Sequence, residues 1–387
     1  MLETIFKGSK SYWTLVTILA GLIAVGAIFY IKQLQVGLGI TGMSRDVSWG
    51  FYIAQLTFLV GVAAGGVMLV LPYYLHNYKK FGKITILGEF LAIASIIMCL
   101  LFVMVDLGQP ARALNLWLHP TLHSVLFWDS LVLFGYLFLN LLVGWTVLDC
   151  ERNAVPPPKW IKPFIYLSIP FAFGIHTVTA FLYCGLPGRH FWLTAVLAPR
   201  FLASAFAAGP AFVIILCLIL KKYTKFNAGK DAVQALSRII TYALLANIFL
   251  FLCEVFVAMY SQMPSHMVHL QYLFFGLHGH NALVPYMWAA MTMMAVAIFM
   301  LLVPSVRKNE SYLAIACVLT FVGIWIDKGL GMITGGFVPN PLHQVTEYMP
   351  TFPELMISIG IYSIGGLILT FLFKMAVSVR EEVSQDL

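Results

Sequence analysis

Residues 49–112 read WGFYIAQLTFLVGVAAGGVMLVLPYYLHNYKKFGKITILGEFLAIASIIMCLLFVMVDLGQPAR. Two apolar runs, each longer than the roughly 20 residues a helix needs to cross a bilayer core, flank the short basic turn HNYKKFGK. Neither run contains Lys or Arg. In lipid a helix satisfies its own backbone groups, so this stretch predicts an antiparallel pair of membrane-spanning helices.

The same pattern continues in both directions. Apolar runs fall at about 12–31, 50–75, 84–108, 122–148, 163–184, 196–220, 239–262, 282–304, 311–331 and 353–377. The reading is all-α: a polytopic integral membrane protein of about ten transmembrane helices, one membrane domain over residues 1–387, with no soluble domain. Composition agrees. Of 387 residues, 61% are hydrophobic and 10% charged, where a soluble domain carries roughly a quarter charged residues. The mean hydropathy is +0.90.

A net charge of +7 could suggest a nucleic-acid partner, but the basic residues lie in alternate loops. On the side of the termini fall 17 of them: Lys7, Lys10, Lys79, Lys80, Lys83, Arg152, Lys159, Lys162, Lys221, Lys222, Lys225, Lys230, Arg238, Arg307, Lys308, Lys374 and Arg380. The other side has six: Lys32, Arg45, Arg112, Arg189, Arg200 and Lys328. The positive-inside bias then predicts an inner-membrane protein with both termini cytoplasmic, surrounded by lipid and binding no nucleic acid. The first apolar run is long and lacks a small-residue cleavage site, so it reads as a retained helix. Gly61, Gly65 and Gly66 in the second run, with Gly360, Gly365 and Gly366 in the tenth, predict close helix packing.

Ionisable groups inside a span cost free energy and are functional candidates by default. Glu89, Asp106, Asp129, His176, Glu254 and Asp327 qualify, with Arg200 at a helix end and Gln55 and Asn247 as neutral partners. At about 1.5 Å per residue, Gln55, Asp129, His176 and Glu254 lie roughly 8–12 Å below the outer surface, and Asp106, Arg200 and Asp327 lie nearer to it. Glu89 stands alone in the inner half. Asn247 and Glu254 are two turns apart on one helical face. Asp106 with Arg112, in DLGQPAR, could form a structural bridge, and Asp327 and Lys328, as helix neighbours, each need their own partner.

The six cysteines, Cys99, Cys150, Cys184, Cys217, Cys253 and Cys317, show no CxxC spacing, so no iron–sulfur centre and no zinc or other metal is expected in this chain. Of ten histidines only His176 falls deep in a span; His119, His123, His190, His266, His269, His278, His280 and His343 fall in outer loops or at their edges, and His76 is cytoplasmic. A haem held by paired histidines on facing helices is therefore not expected.

The segments WGFYIAQLTFLVGVAAGG (49–66), GEFLAIASIIMCLLFVMVDLGQPAR (88–112) and HTVTAFLYCGLPGRHFWLTAVLAPRFLASAFAAG (176–209) resemble the NrfD/PsrC family of quinone-reactive membrane subunits. The likeness is greatest to ten-span members of membrane complexes associated with dissimilatory sulfite reduction. It implies a core of four-helix bundles and a menaquinone pocket at the outer end of the first. It also implies a ferredoxin-like iron–sulfur partner on the outer face, further membrane and cytochrome subunits, and no haem or cluster in this chain. Carried onto this sequence, the pocket would involve Trp49, Gln55, Asp106, Arg112, His176 and Arg200. Quinone chemistry moves two electrons and two protons, so it needs an apolar slot, donors for the carbonyls and titratable groups. His176, Asp106 and Glu254 suit the last role, and Glu89, Asp129, Glu254 and Asp327 could carry protons further.

Two other classes share the composition. A secondary transporter would show interrupted helices and a central aqueous cavity; a passive anchor would leave Glu89, His176 and Glu254 without a reason.

Overall fold

The computed structural model describes residues 2–76 and 78–385. Among them ten helices are long and apolar enough to span a membrane: α1 Lys10–Val36, α2 Phe51–Leu75, α3 Lys79–Asp106, α4 Val125–Arg152, α5 Lys159–Cys184, α6 Leu197–Tyr223, α7 Lys230–Tyr260, α8 Val284–Leu302, α9 Glu310–Gly335 and α10 Phe352–Glu382. The described residues form no β-strand; one isolated bridge joins Leu277 and His280. Lys374 near the end of α10 bonds the carbonyl of Lys7, so the start of α1 and the end of α10 lie at one end of the molecule, here the proximal end.

The helices pack as two bundles and a flanking pair. Helices α2–α5 form the first bundle and α6–α9 the second, and α6 packs on both α2 and α5 to join them. Helices α1 and α10 lie against each other, with α10 also on α3 and α4. In the apolar stretch of α2, 94% of residues are buried, against 6% in α1, so α2 is the central helix and α1 a lipid-facing one. Small residues make the junction possible. A Cβ on Gly65 would lie 2.6 Å from Gly209 Cα and 2.7 Å from the Ala205 carbonyl, so any larger residue would drive α2 and α6 apart.

Two parts of the distal half depart from the sequence-based reading. The connection between α7 and α8 is not a plain loop: it holds a helix, Pro264–Phe275, whose His269 is buried against the carbonyls of Val338 (2.7 Å) and Gly335 (3.2 Å). His176 is thus not the only buried histidine. More consequentially, Trp325–Gly331 of α9 is wound as a π-helix. Wider turns of this kind are rare and occur most often at functional sites. Here the turn carries Asp327 and Lys328 into the protein interior.

Helix α10 starts with a sequence-readable device. In Thr351-Phe-Pro-Glu354 the Glu354 carboxylate accepts from the Thr351 N–H at 2.8 Å, the side of a capping box that reaches back to the first residue. The same carboxylate also accepts from Gly42 N (2.7 Å) and Tyr348 OH (2.7 Å), and Tyr348 OH accepts from Phe51 N (2.8 Å). A fully buried acid is thereby satisfied, and the starts of α2 and α10 are fixed together.

Candidate functional site

The ionisable residues converge where the two bundles meet. Arg200, one turn into α6, donates from one terminal nitrogen to Glu254 of α7 at 2.8 Å and from the other to both oxygens of Asp327 of α9, each at 2.8 Å. Its guanidinium also lies over the Phe251 ring, 4.8 Å from the centroid. Arg200 and Asp327 are buried and Glu254 nearly so, which makes the group a triad of two carboxylates held by one fork-shaped cation.

Next to it stands a second pair. Lys328, which its position in the sequence assigned to the outer side, is buried, and its Nζ lies 2.5 Å from Nε2 of His176 in α5 and 4.2 Å from the centre of the Phe201 ring. Nε2 also lies 2.6 Å from the Phe201 carbonyl. The pair fits because α2 offers Gly61: a Cβ there would fall 3.0 Å from Lys328 Nζ and 3.3 Å from His176 Cε1. The neighbours Asp327 and Lys328 do take different partners, one on α6 and one on α5.

Gln55 of α2 touches the π turn from the other side. Its Oε1 accepts from Trp325 Nε1 (2.7 Å) and from Tyr362 OH of α10 (2.6 Å), while its Nε2 is buried with no partner. Asp129 of α4 accepts from Thr179 Oγ1 of α5 at 2.6 Å, one turn from His176. Trp49, half-buried, belongs to an aromatic cover on the distal side of these groups. It stacks on Trp192 at 5.9 Å and meets Tyr183 and Phe337 edge-on, while Trp192 donates to the Met332 carbonyl of α9 at 2.9 Å.

Other expected site residues are elsewhere. Arg112 is exposed, and no ion pair joins it to Asp106 among the described residues, because the chain turns through a short 3-10 segment after α3 that carries Arg112 outward. The bridge expected in DLGQPAR is therefore not formed. Asp106 keeps one buried oxygen without a partner, beside Gln33, which links Tyr52 OH to the Val105 carbonyl. Glu89 is buried in α3 with neither oxygen bonded, apart from the cluster. Asn247 does share the Arg200 neighbourhood. A cavity lined by Arg200, Phe201, Ser204, Asn247, Asp327 and Lys328 has room for about one water. Sequence reasoning gave Lys328 a need for its own partner but no place in the site, although a signal was present: a lysine after an aspartate within a run that stays apolar as far as Met332.

A separate cap closes the distal ends of α8 and α9. Burial pushes the His269 imidazole down to about 4, against its two carbonyl contacts, which act in the opposite sense. Burial works against the ionised form of Glu347, but the Ala282 N–H (2.7 Å), His280 and Tyr272 outweigh it and hold the carboxyl below its usual range. Both shifts have the same consequence for pH. Between about pH 6.5 and about pH 4 an opened cap binds a proton at His269 that the closed cap does not, so closure weakens as pH falls, by at most roughly 3 kcal/mol. Glu347 adds stability above the unfolded carboxyl range and loses it as pH falls through its own depressed value. Amide hydrogen exchange in 264–275 and 334–350, corrected for intrinsic rate, is expected to accelerate on acidification through this window. Protection that stays flat from neutral pH down to about 4 would contradict this account.

A polytopic helical protein whose buried charges meet at the junction of two four-helix bundles is the class defined by these observations. Residues 39–339 match the family described as polysulphide reductase, NrfD, and the chain belongs to that family. It is similar to a putative membrane subunit of a dimethyl sulfoxide reductase from Halobacterium salinarum, at 25% identity over 91% of this chain and 88% of that one. It is also similar to the integral membrane subunit of a menaquinone reductase of Nitratidesulfovibrio vulgaris, at 21% identity over 89% and 86%. A third relative is the integral membrane subunit of an Hdr-like menaquinol oxidoreductase of Archaeoglobus fulgidus, 24% identical over 60% of this chain and 56% of its own.

Proposed function

We propose that this chain is the menaquinol- or menaquinone-reactive subunit of a membrane electron-transfer complex. The observation that carries the proposal is His176. It is wholly buried in an apolar bundle, is bonded through Nε2, and has an Nδ1 with no partner. A buried polar atom left unbonded is costly, and a quinone oxygen is the partner that the family supplies. Gln55, whose amide Nε2 is likewise unpartnered, offers a hydrogen-bond donor for a quinone carbonyl. The aromatic cover of Trp49, Tyr183 and Trp192 supplies apolar surface for the ring and tail. Two relatives carry menaquinone or menaquinol in their names, which supports the quinone.

Electrons exchange with an iron–sulfur subunit docked on the distal face, which the excess of basic residues at the proximal end makes the outer face of the cytoplasmic membrane. The resemblance of residues 49–66, 88–112 and 176–209 favours a complex linked to dissimilatory sulfite reduction, of the DsrP type, with cytochrome and other membrane subunits. Asp106 and Arg112 then lie at the rim of the site, and Asp129 and Glu254 within reach of it. Glu89, buried in the proximal half with neither oxygen bonded, is the residue best placed to take up a proton from the cytoplasm.

One feature favours a carrier instead: the π turn interrupts α9 within its distal half. Against it, both acids beside that turn are ion-paired to Arg200. Titrating the detergent-purified chain with a menaquinone analogue should quench the fluorescence of Trp49 and Trp192 saturably. Absence of saturable quenching, together with no quinol oxidation by the assembled complex, would reject the quinone reading.

A further inference from the structure

Quinone binding alone leaves Lys328 without a role, and its setting is unusual for a lysine. It is 4% exposed in the distal half of a spanning helix, yet among the described residues no carboxylate bonds it. The adjacent Asp327 commits both oxygens to Arg200. An isolated ammonium in such a place is costly. The contacts that Lys328 does make are with Nε2 of His176 at 2.5 Å and with the face of Phe201.

One ring nitrogen either donates one hydrogen or accepts one, but Nε2 lies within bonding distance of both the Phe201 carbonyl and the Lys328 amine. These contacts correspond to two proton placements. With hydrogen on Nε2, the imidazole donates, and Lys328 is a neutral amine. With Nε2 bare, the imidazole carries its hydrogen on Nδ1 and accepts from a Lys328 ammonium. Two basic groups this close in a dry site do not both hold an extra proton. The titratable and charged groups that face Lys328 are Asp327 on its own helix, Arg200 on α6, Glu254 through Arg200 on α7, and the Cys99 thiol on α3; on α5 the group is His176 itself. Arg200 and its two carboxylates leave one net negative charge beside the pair, which favours a single added proton.

We propose that His176 and Lys328 form a one-proton relay, with His176 taking the proton from quinol and Lys328 holding it. This rests on the quinone reading. When quinol is oxidised, one O–H bond breaks as Nδ1–H forms on His176, and Nε2–H breaks as a third N–H forms on Lys328. The second quinol proton leaves to bulk water, and the two electrons pass to the iron–sulfur centres of the partner subunit. Reduction of quinone runs the same steps in reverse. Gly61 is the positioning residue, since a side chain there would occupy the gap in which the two nitrogens meet.

The test uses the assembled complex with Lys328→Arg and Lys328→Met. Arginine keeps the cation but does not release its proton at accessible pH; methionine is neutral, unbranched and suited to the same slot. Both variants are expected to bind a menaquinone analogue as tightly as the native complex and to turn over roughly a hundredfold more slowly. The pH dependence of the native rate should flatten in each. If arginine prevents assembly, the methionine variant decides alone. Native turnover with a native pH profile in either assembled variant overturns the relay while leaving the quinone reading intact. A native complex that neither binds nor oxidises quinol defeats the reading on which the relay rests.

Discussion

Replacing Arg200 by leucine is expected to cost the assembled protein about 3–5 kcal/mol of stability, the range observed when one partner of a buried ion pair is removed. The reason lies in how the guanidinium is shared. One nitrogen serves Glu254 and the other serves Asp327, so its loss leaves two carboxylates facing each other in a site with room for about one water. The π turn that presents Asp327 would lose its anchor on α6 at the same time. Thermal unfolding and yield of the purified complex measure this effect. Combining Arg200→Met with Glu254→Leu and Asp327→Leu should restore stability to within about 1 kcal/mol, because a buried triad exchanged for apolar side chains is often neutral or better. An Arg200→Leu protein as stable as the native one would mean that the carboxylates are protonated or solvated, and the triad would not be the clamp described here. The sequence suggested Arg200 as a group that grips the quinone. With both terminal nitrogens engaged, its assigned part in the proposed function is to fix α6, α7 and α9 around His176 and Lys328.

His176→Leu is expected to act in the opposite way, sparing assembly and removing function. Leucine fills much of the same space beside Phe201 and Gly61, and the residue lost is not part of the Arg200 triad. A hydrogen bond worth about 1–3 kcal/mol disappears, which corresponds to a five- to hundredfold loss of quinone affinity. Loss of a positioned acid–base group should lower turnover by a further factor of roughly a hundred or more. Quinol oxidation and analogue binding by the variant complex, with subunit stoichiometry as the control, give the answer. Full activity and native affinity in an assembled His176→Leu complex would make the histidine a packing residue. The two substitutions thus separate the clamp from the chemistry: one is read in stability, the other in turnover.

The sequence by itself determined the ten spans. Hydropathy alone bounds them, because in lipid a helix of about 20 apolar residues is the cheapest way to bury its backbone, and that property is local. The ninth run, read as 311–331, is Glu310–Gly335 in the structure, and the tenth, read as 353–377, begins at Phe352. The sequence also marked His176, Gln55, Glu254 and Asp327, since an ionisable or amide group within an apolar run stands out without any knowledge of its partners. It could not orient them. A helix surrounded by lipid and by other apolar helices carries little face-to-face contrast, so the rotation of each span, and hence which charge meets which, is set by packing. That is why Asp106 and Arg112 suggested a bridge that the fold does not make, and why Lys328 was taken for an outer residue. The π turn is likewise a tertiary outcome. Nothing local in Trp325–Gly331 requires a wider turn, but pairing Asp327 with Arg200 on one side and Lys328 with His176 on the other does, once α2, α5 and α6 have brought those partners together around Gly61 and Gly65.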